Sequence, residues 1–308
     1  MHIDLLLFAV FAVIGLRLQR RADSDQLRER LWMFNYMALI PAAAIYTCLT
    51  IDLTGHLLLV AICASIAWWT TVGVSYIYAR LVATSPAQQG ALLMAGAFPN
   101  TGFIGLPLAT LAFGTAGLRG AVIYDQVGLI VPAIVVSNLI ATHYARLSGE
   151  VSDAVAQRSL AHDLLVNPPL WAALGALLAR ATIVQQPVGN LEWLGTSVGH
   201  VVGPVGFLLL GLSLPLERFS HDKSEVSRAA GAIAIRLFVG PLLLLMWAQV
   251  MHVHVPPVVY LIAGMPTAFH VLVITRLHGL DPPLIRLTVV ASTVIAVVGV
   301  AIGVALAH

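Results

Sequence analysis

Runs of about 20 apolar residues alternate with short polar connections along nearly the whole chain. A helix crossing the hydrocarbon core of a bilayer needs about 20 such residues. The runs predict ten helices, near 4–18, 31–49, 57–79, 90–113, 120–142, 168–182, 194–215, 229–250, 257–276 and 285–306. They are too continuous for a transmembrane β-barrel, whose strands alternate apolar and polar positions. One run breaks the pattern at its centre. Residues 96–108 read GAFPNTGFIGLPL, with Pro99, Asn100, Thr101 and Gly102 where a plain span carries Leu and Val.

Charge placement gives the spans a direction. Of the 16 Lys and Arg residues, all but Arg119, Arg180 and Arg236 fall in loops that follow odd-numbered spans, and Arg236 lies within the eighth. The positive-inside rule makes those loops cytoplasmic and puts both termini on the outer side of a cell membrane. Basic residues follow the first run rather than precede it, so it is read as a span and not as a cleaved signal.

Composition agrees: 59% hydrophobic and 10% charged residues, with mean hydropathy +0.92, against roughly 25% charged in a soluble domain. A net charge of +2, carried in short loops, offers nothing to nucleic acid. Cys48 and Cys63 lie in or beside apolar runs, which disfavours a disulfide. No HExxH, GxSxG or phosphate-binding loop occurs, so neither an intramembrane enzyme nor an ATP-driven pump is expected. No cofactor or metal is expected either, since the HxH pair His252 and His254 has no further ligands beside it. A channel would favour a polar stripe through several spans, and that is missing.

The polar stretch 143–167 separates five spans from five. The expected organisation is a first five-helix repeat at 1–145, a cytoplasmic linker at 146–167 and a second repeat at 168–308. An odd number of spans per half inverts the second half in the membrane, a recurrent plan of secondary transporters. Span four carries AFPNTGFIG at 97–105 and span nine carries GMPTAFHVL at 264–272. Pro99 and Pro266 each stand about nine residues into the fourth helix of their half, and each segment runs on to a glycine, Gly114 or Gly279. Proline removes a backbone donor and clashes with the preceding turn. Non-helical backbone at this depth must be buried in protein or line a watery cavity. Two antiparallel spans broken at mid-membrane can cross at their breaks and turn half-helix N-termini, with their positive dipole ends, to one point. Such a point suits an anion, above all a carboxylate. Close packing alone is the other reading of the kinks, with Gly102 and Gly105 admitting a neighbouring helix.

PNTGFIGLPL in span four and GMPTAFHVLVITRLHGLD at 264–281 carry a family resemblance, with weaker matches at NYMALIPA (35–42), IYDQVG (123–128) and GPVGFLLLGLSL (203–214). At these residues the chain resembles the auxin efflux carrier family in its bacterial branch of malonate and malate permeases. The resemblance implies an all-α polytopic membrane protein with ten transmembrane helices in two inverted five-helix repeats, in which broken helices four and nine cross. It also implies a scaffold part and a moving part, elevator-like alternating access, and often a homodimer. Substrates of the family are organic anions bearing a carboxylate. Carried over by position, the crossing would be built from Pro99, Asn100 and Thr101 with Pro266, Thr267 and His270. Family members commonly carry asparagine where this chain has His270. The plant carriers have a charged pair in span three, whereas 57–79 holds no charge, so auxin itself is a poor substrate guess.

Polar residues within spans complete the candidate set. Asp125, with Gln126 beside it, either lines the substrate path or bonds loop backbone near the span end; a charge at a helix centre costs about 2.5–3.5 kcal/mol on insertion scales. His270, one turn after Pro266, either meets a substrate carboxylate or makes a helix–helix hydrogen bond. Arg236 either attracts the anion, or snorkels to the interface or pairs with a helix C-terminus. Asn35 and Tyr124 are weaker candidates, and Trp68-Trp69 is read as packing or lipid contact. The function expected is secondary transport of small carboxylate anions, with an aromatic or other organic anion, or a non-transport channel or receptor, as alternatives. Protons, sodium or no coupling ion all remain open.

Overall fold

The computed structural model describes residues 2–51, 54–149, 165–184, 188–214 and 222–306, and the described residues are helical almost throughout. Helices α1 (His2–Leu18), α2 (Ser24–Thr50) and α3 (Gly55–Val82) precede the short α4 (Pro86–Ala97). After a break come α5 (101–113) and α6 (115–148), then α7 (Pro168–Val184), α8 (Glu192–Ser213) and α9 (Lys223–Val250). A second break separates α10 (Pro257–Ala263) from α11 (Phe269–Leu277), and α12 (Pro282–Leu306) follows. Most of the expected linker, 150–164, lies outside the described residues.

Local chemistry sets the helix starts. Pro86, Pro168, Pro257 and Pro282 occupy first turns, where the N–H they lack has no partner anyway. Ser85, Asn167 and Thr54 cap from the preceding position, their side chains accepting from the N–H of Gln88, Leu170 and Leu57.

Among the described residues six helices are long and apolar enough to cross a membrane, which makes this a polytopic helical membrane protein. The proline-broken pairs are cut into pieces too short to count singly. Thr101–Gln126 reaches the length only by running through Gly114, where φ 60° and ψ −144° reverse the chain. Only glycine holds that conformation comfortably. The hydropathy pattern places a loop at 113–120; instead the chain turns on Gly114 and is helical again at once. Gly279 holds a similar φ of 63° beyond α11.

Among the described residues five turns are π-helical, and four have one cause. The turns at Asn35–Leu39, Thr101–Gly105, Ile123–Leu129 and Ile235–Val239 are followed within three residues by Pro41, Pro107, Pro132 and Pro241. A helical proline clashes with the carbonyl four residues before it. Here those four carbonyls belong to residues 37, 103, 128 and 237, each inside the widened turn that relieves the clash.

Helix packing divides the molecule. α1 lies against α8 and α2 against α7, while α3, α4, α6 and α9 to α12 form a second group, with α5 along the seam. Small residues set the closest contacts. Gly15 and Gly211 bring α1 and α8 together so tightly that a Cβ at 211 would strike the Ala12 carbonyl oxygen. At the seam, a Cβ on Gly206 of α8 would lie 2.8 Å from the Phe103 carbonyl oxygen of α5. Gly211→Ala should therefore lower the melting temperature of the detergent-purified protein, since overpacking costs about 1–3 kcal/mol. Gly73→Ala, with nothing within 4 Å of the added carbon, should leave it equal or higher. Equal melting of the two variants would contradict this packing.

Candidate functional site at the helix crossing

The two breaks meet inside the second helix group. Pro99 and Thr267 form an isolated antiparallel bridge. The Asn100 N–H donates to the Pro266 carbonyl at 2.7 Å, and the Ala268 N–H donates to the Phe98 carbonyl at 3.0 Å. Backbone groups freed by the prolines thus satisfy one another. Four half-helix ends converge here: the C-termini of α4 and α10, and the N-termini of α5 and α11.

The C-terminal ends are closed by side chains from elsewhere. Arg236, 1% exposed in the π-turn of α9, donates through Nη1 to the Ala97 carbonyl at 2.9 Å and to that of Gly96 at 3.4 Å. Its Nη2 donates to the Ala263 carbonyl. The Trp68 indole of α3 donates to the Ala97 carbonyl as well, at 2.9 Å. Thr267 is fully buried; its hydroxyl donates to the Ala95 carbonyl at 2.8 Å, and its N–H donates to Ser292 Oγ of α12 at 3.2 Å.

A carboxyl group meets the start of α5. Asn100 caps this helix, Oδ1 accepting from the Phe103 N–H at 3.2 Å, while its carbonyl accepts from Gly105. The Thr101 hydroxyl donates to Asp125 Oδ1, and Gln126 Nε2 donates to Oδ2 of the same carboxylate. Among the described residues Asn100 Nδ2 and Gln126 Oε1 are buried without a hydrogen-bond partner. One amide donor and one amide acceptor are therefore free to serve a ligand beside Thr101.

The sequence candidates separate on this geometry. Pro99, Asn100, Thr101, Pro266 and Thr267 come together at the bridge, and Asp125 and Gln126 reach it through Thr101. Thr267 is committed to backbone and Ser292. Gly102 lies under α2, where an added Cβ would touch Ile40 Cδ1 at 3.2 Å. His270 is solvent-accessible, with its ring edge against the buried Phe98 at 5.8 Å between centroids. Aromatic rings flank the break on the α2 side: Trp32 stacks on Tyr36 at 4.9 Å and on Phe103 at 6.2 Å. His252 and His254 are exposed. Trp68 and Ser292, which hydrophobic periodicity treats as plain packing, are ligands of the break. A sequence signal for the interior polar set does exist: Asn35, Thr101, Gln126 and Arg236 stand five or six residues before a helical proline.

A second polar cluster lies away from the crossing. Tyr46 donates to Glu192 Oε2 at 2.8 Å, and Arg119 pairs with the same carboxylate while donating to the Tyr46 hydroxyl at 2.7 Å. It ties α6 to α2 and to the start of α8.

Comparison with known proteins agrees with a transport role. The chain is 26% identical over 266 residues to an uncharacterized transporter of Methanothermobacter thermautotrophicus, covering 84% of this chain and 82% of the relative. Residues 59–303 match the family described as membrane transport protein. That match takes in nearly all of α3, both breaks and nearly all of α12. The chain belongs to the membrane transport protein family, and it is a membrane transporter rather than an enzyme.

Proposed function

We propose that this transporter carries small organic carboxylate anions of the malonate or malate kind, bound at the crossing of the two broken helices. The observation that carries the reading is the start of α5, where the buried, unpartnered Asn100 Nδ2 stands beside the Thr101 hydroxyl. First-turn N–H groups have no intrahelical acceptor, and the helix dipole there favours negative charge. A carboxylate seated on α5 would take its hydrogen bonds from the same group of donors that now serves Asp125.

In this reading ten spans form two inverted five-helix repeats, 1–145 and 168–308, joined by the linker at 146–167, with α4–α5 and α10–α11 as broken spans four and nine. The chain sits in the cell membrane with both termini outside, and a homodimer is the expected assembly. The group of α1, α2, α7 and α8 serves as scaffold. The other group carries the site past it, in an elevator-like movement along the α5–α8 seam. Asp125 makes protons the favoured coupling ion. A substrate anion beside its carboxylate meets like-charge repulsion that a proton would remove, and α3 brings no charged side chain to that turn.

Trp32, Tyr36 and Phe103 beside the break favour a second substrate, an aromatic carboxylate stacked on those rings.

Counterflow of labelled malonate, malate and an aromatic carboxylate into proteoliposomes decides between the two. Accumulation of malonate or malate is expected, and accumulation of the aromatic acid alone would shift the assignment. Asn100→Ala should lower counterflow on the order of tenfold, as loss of a hydrogen bond to a charged group costs about 1.5–3 kcal/mol. Normal transport by that variant would move the site elsewhere. Asp125→Asn should keep exchange but lose its response to pH, whereas an unchanged pH profile would remove Asp125 from coupling.

A further inference from the structure

We propose that Arg236 is a resident cation of the helix crossing, holding against two half-helix C-termini the place that a sodium ion would otherwise fill, so that the transporter works without sodium. In carriers built from broken helices, the C-terminal ends of half-helices and unwound carbonyls are where coupling cations are held. Here the carbonyls of Ala97 at the end of α4 and Ala263 at the end of α10 both accept from one guanidinium. Each helix end carries roughly half a negative charge, so two ends together match a single cation. Arginine keeps its charge at any working pH.

The surroundings are built for that fork. The Arg236 side chain runs forward along α9 past Gly240, where a Cβ would stand 2.7 Å from Nη2. Among the described residues no carboxylate pairs with Arg236, and the guanidinium donates to backbone carbonyls at both breaks. A buried cation without compensation is expensive, and the compensation here is the pair of helix ends. The guanidinium therefore belongs to the C-terminal side of the bridge, while Asp125 meets the N-terminal start of α5. Arg236 positions the crossing and does not hold the substrate.

The test compares charge with bulk. In liposomes, native counterflow should be the same with choline as with sodium. Arg236→Lys keeps the charge and should stay within about threefold of native, while Arg236→Met keeps only length and should fall on the order of tenfold. For the detergent-purified Arg236→Met protein, sodium or low-millimolar guanidinium should raise the melting temperature, with no such rise in the native protein. Sodium-dependent native transport would overturn the proposal. So would Arg236→Met at native level without added cation, or Arg236→Lys as impaired as Arg236→Met. If Arg236→Met does not fold, the native and Arg236→Lys proteins carry the comparison. The inference rests on the carrier reading only in its counterflow arm. Cation rescue of melting without any carboxylate counterflow would sink the substrate and keep the resident cation.

Discussion

A helix broken inside a bilayer leaves backbone groups and dipole ends that lipid cannot satisfy. This chain breaks two, and the interior is arranged around that constraint. The breaks lie against each other, so that Asn100 with Pro266 and Phe98 with Ala268 exchange hydrogen bonds that a continuous helix would have made internally. The negative ends receive a guanidinium, an indole and a threonine hydroxyl. The positive start of α5 receives a side-chain cap and a nearby carboxyl group. Charge is thereby separated about the bridge, with Arg236 on the carbonyls of Ala97 and Ala263 and Asp125 on the Thr101 hydroxyl.

Proline shapes more than the two breaks. Pro41, Pro107, Pro132 and Pro241 each open a π-turn, and each of those turns holds a buried polar side chain: Asn35, Thr101, Gln126 and Arg236. A widened turn displaces its side chains from the regular helical face. The same local device that relieves a steric clash thus brings polar groups inward, and the chemistry of the crossing follows from where prolines stand.

Much of the helix plan is legible in the sequence, because length, hydropathy and proline act locally. Pro99 and Pro266 announce their breaks through the donor they lack. Other features depend on tertiary direction. His270 and Thr267 look alike as polar residues after Pro266, yet one is solvent-accessible and the other is fully buried. Arg236 is visible as an interior charge, but its partners are main-chain carbonyls 139 and 27 residues away, which carry no sequence signature. Trp68 is hidden for the same reason. The loop expected between 113 and 120 fails because one glycine in a left-handed conformation turns the chain where hydropathy averages over several residues.

The central claim is that the crossing is where the anion sits. An experimental density map of the protein in a lipid nanodisc, taken with and without saturating malonate, tests it most directly. The account predicts added density against the start of α5, within hydrogen-bond distance of Asn100 Nδ2 and the Thr101 hydroxyl, with Arg236 still on the carbonyls of Ala97 and Ala263. Helices running unbroken through 97–105 and 263–269, or ligand density away from the crossing, would contradict it.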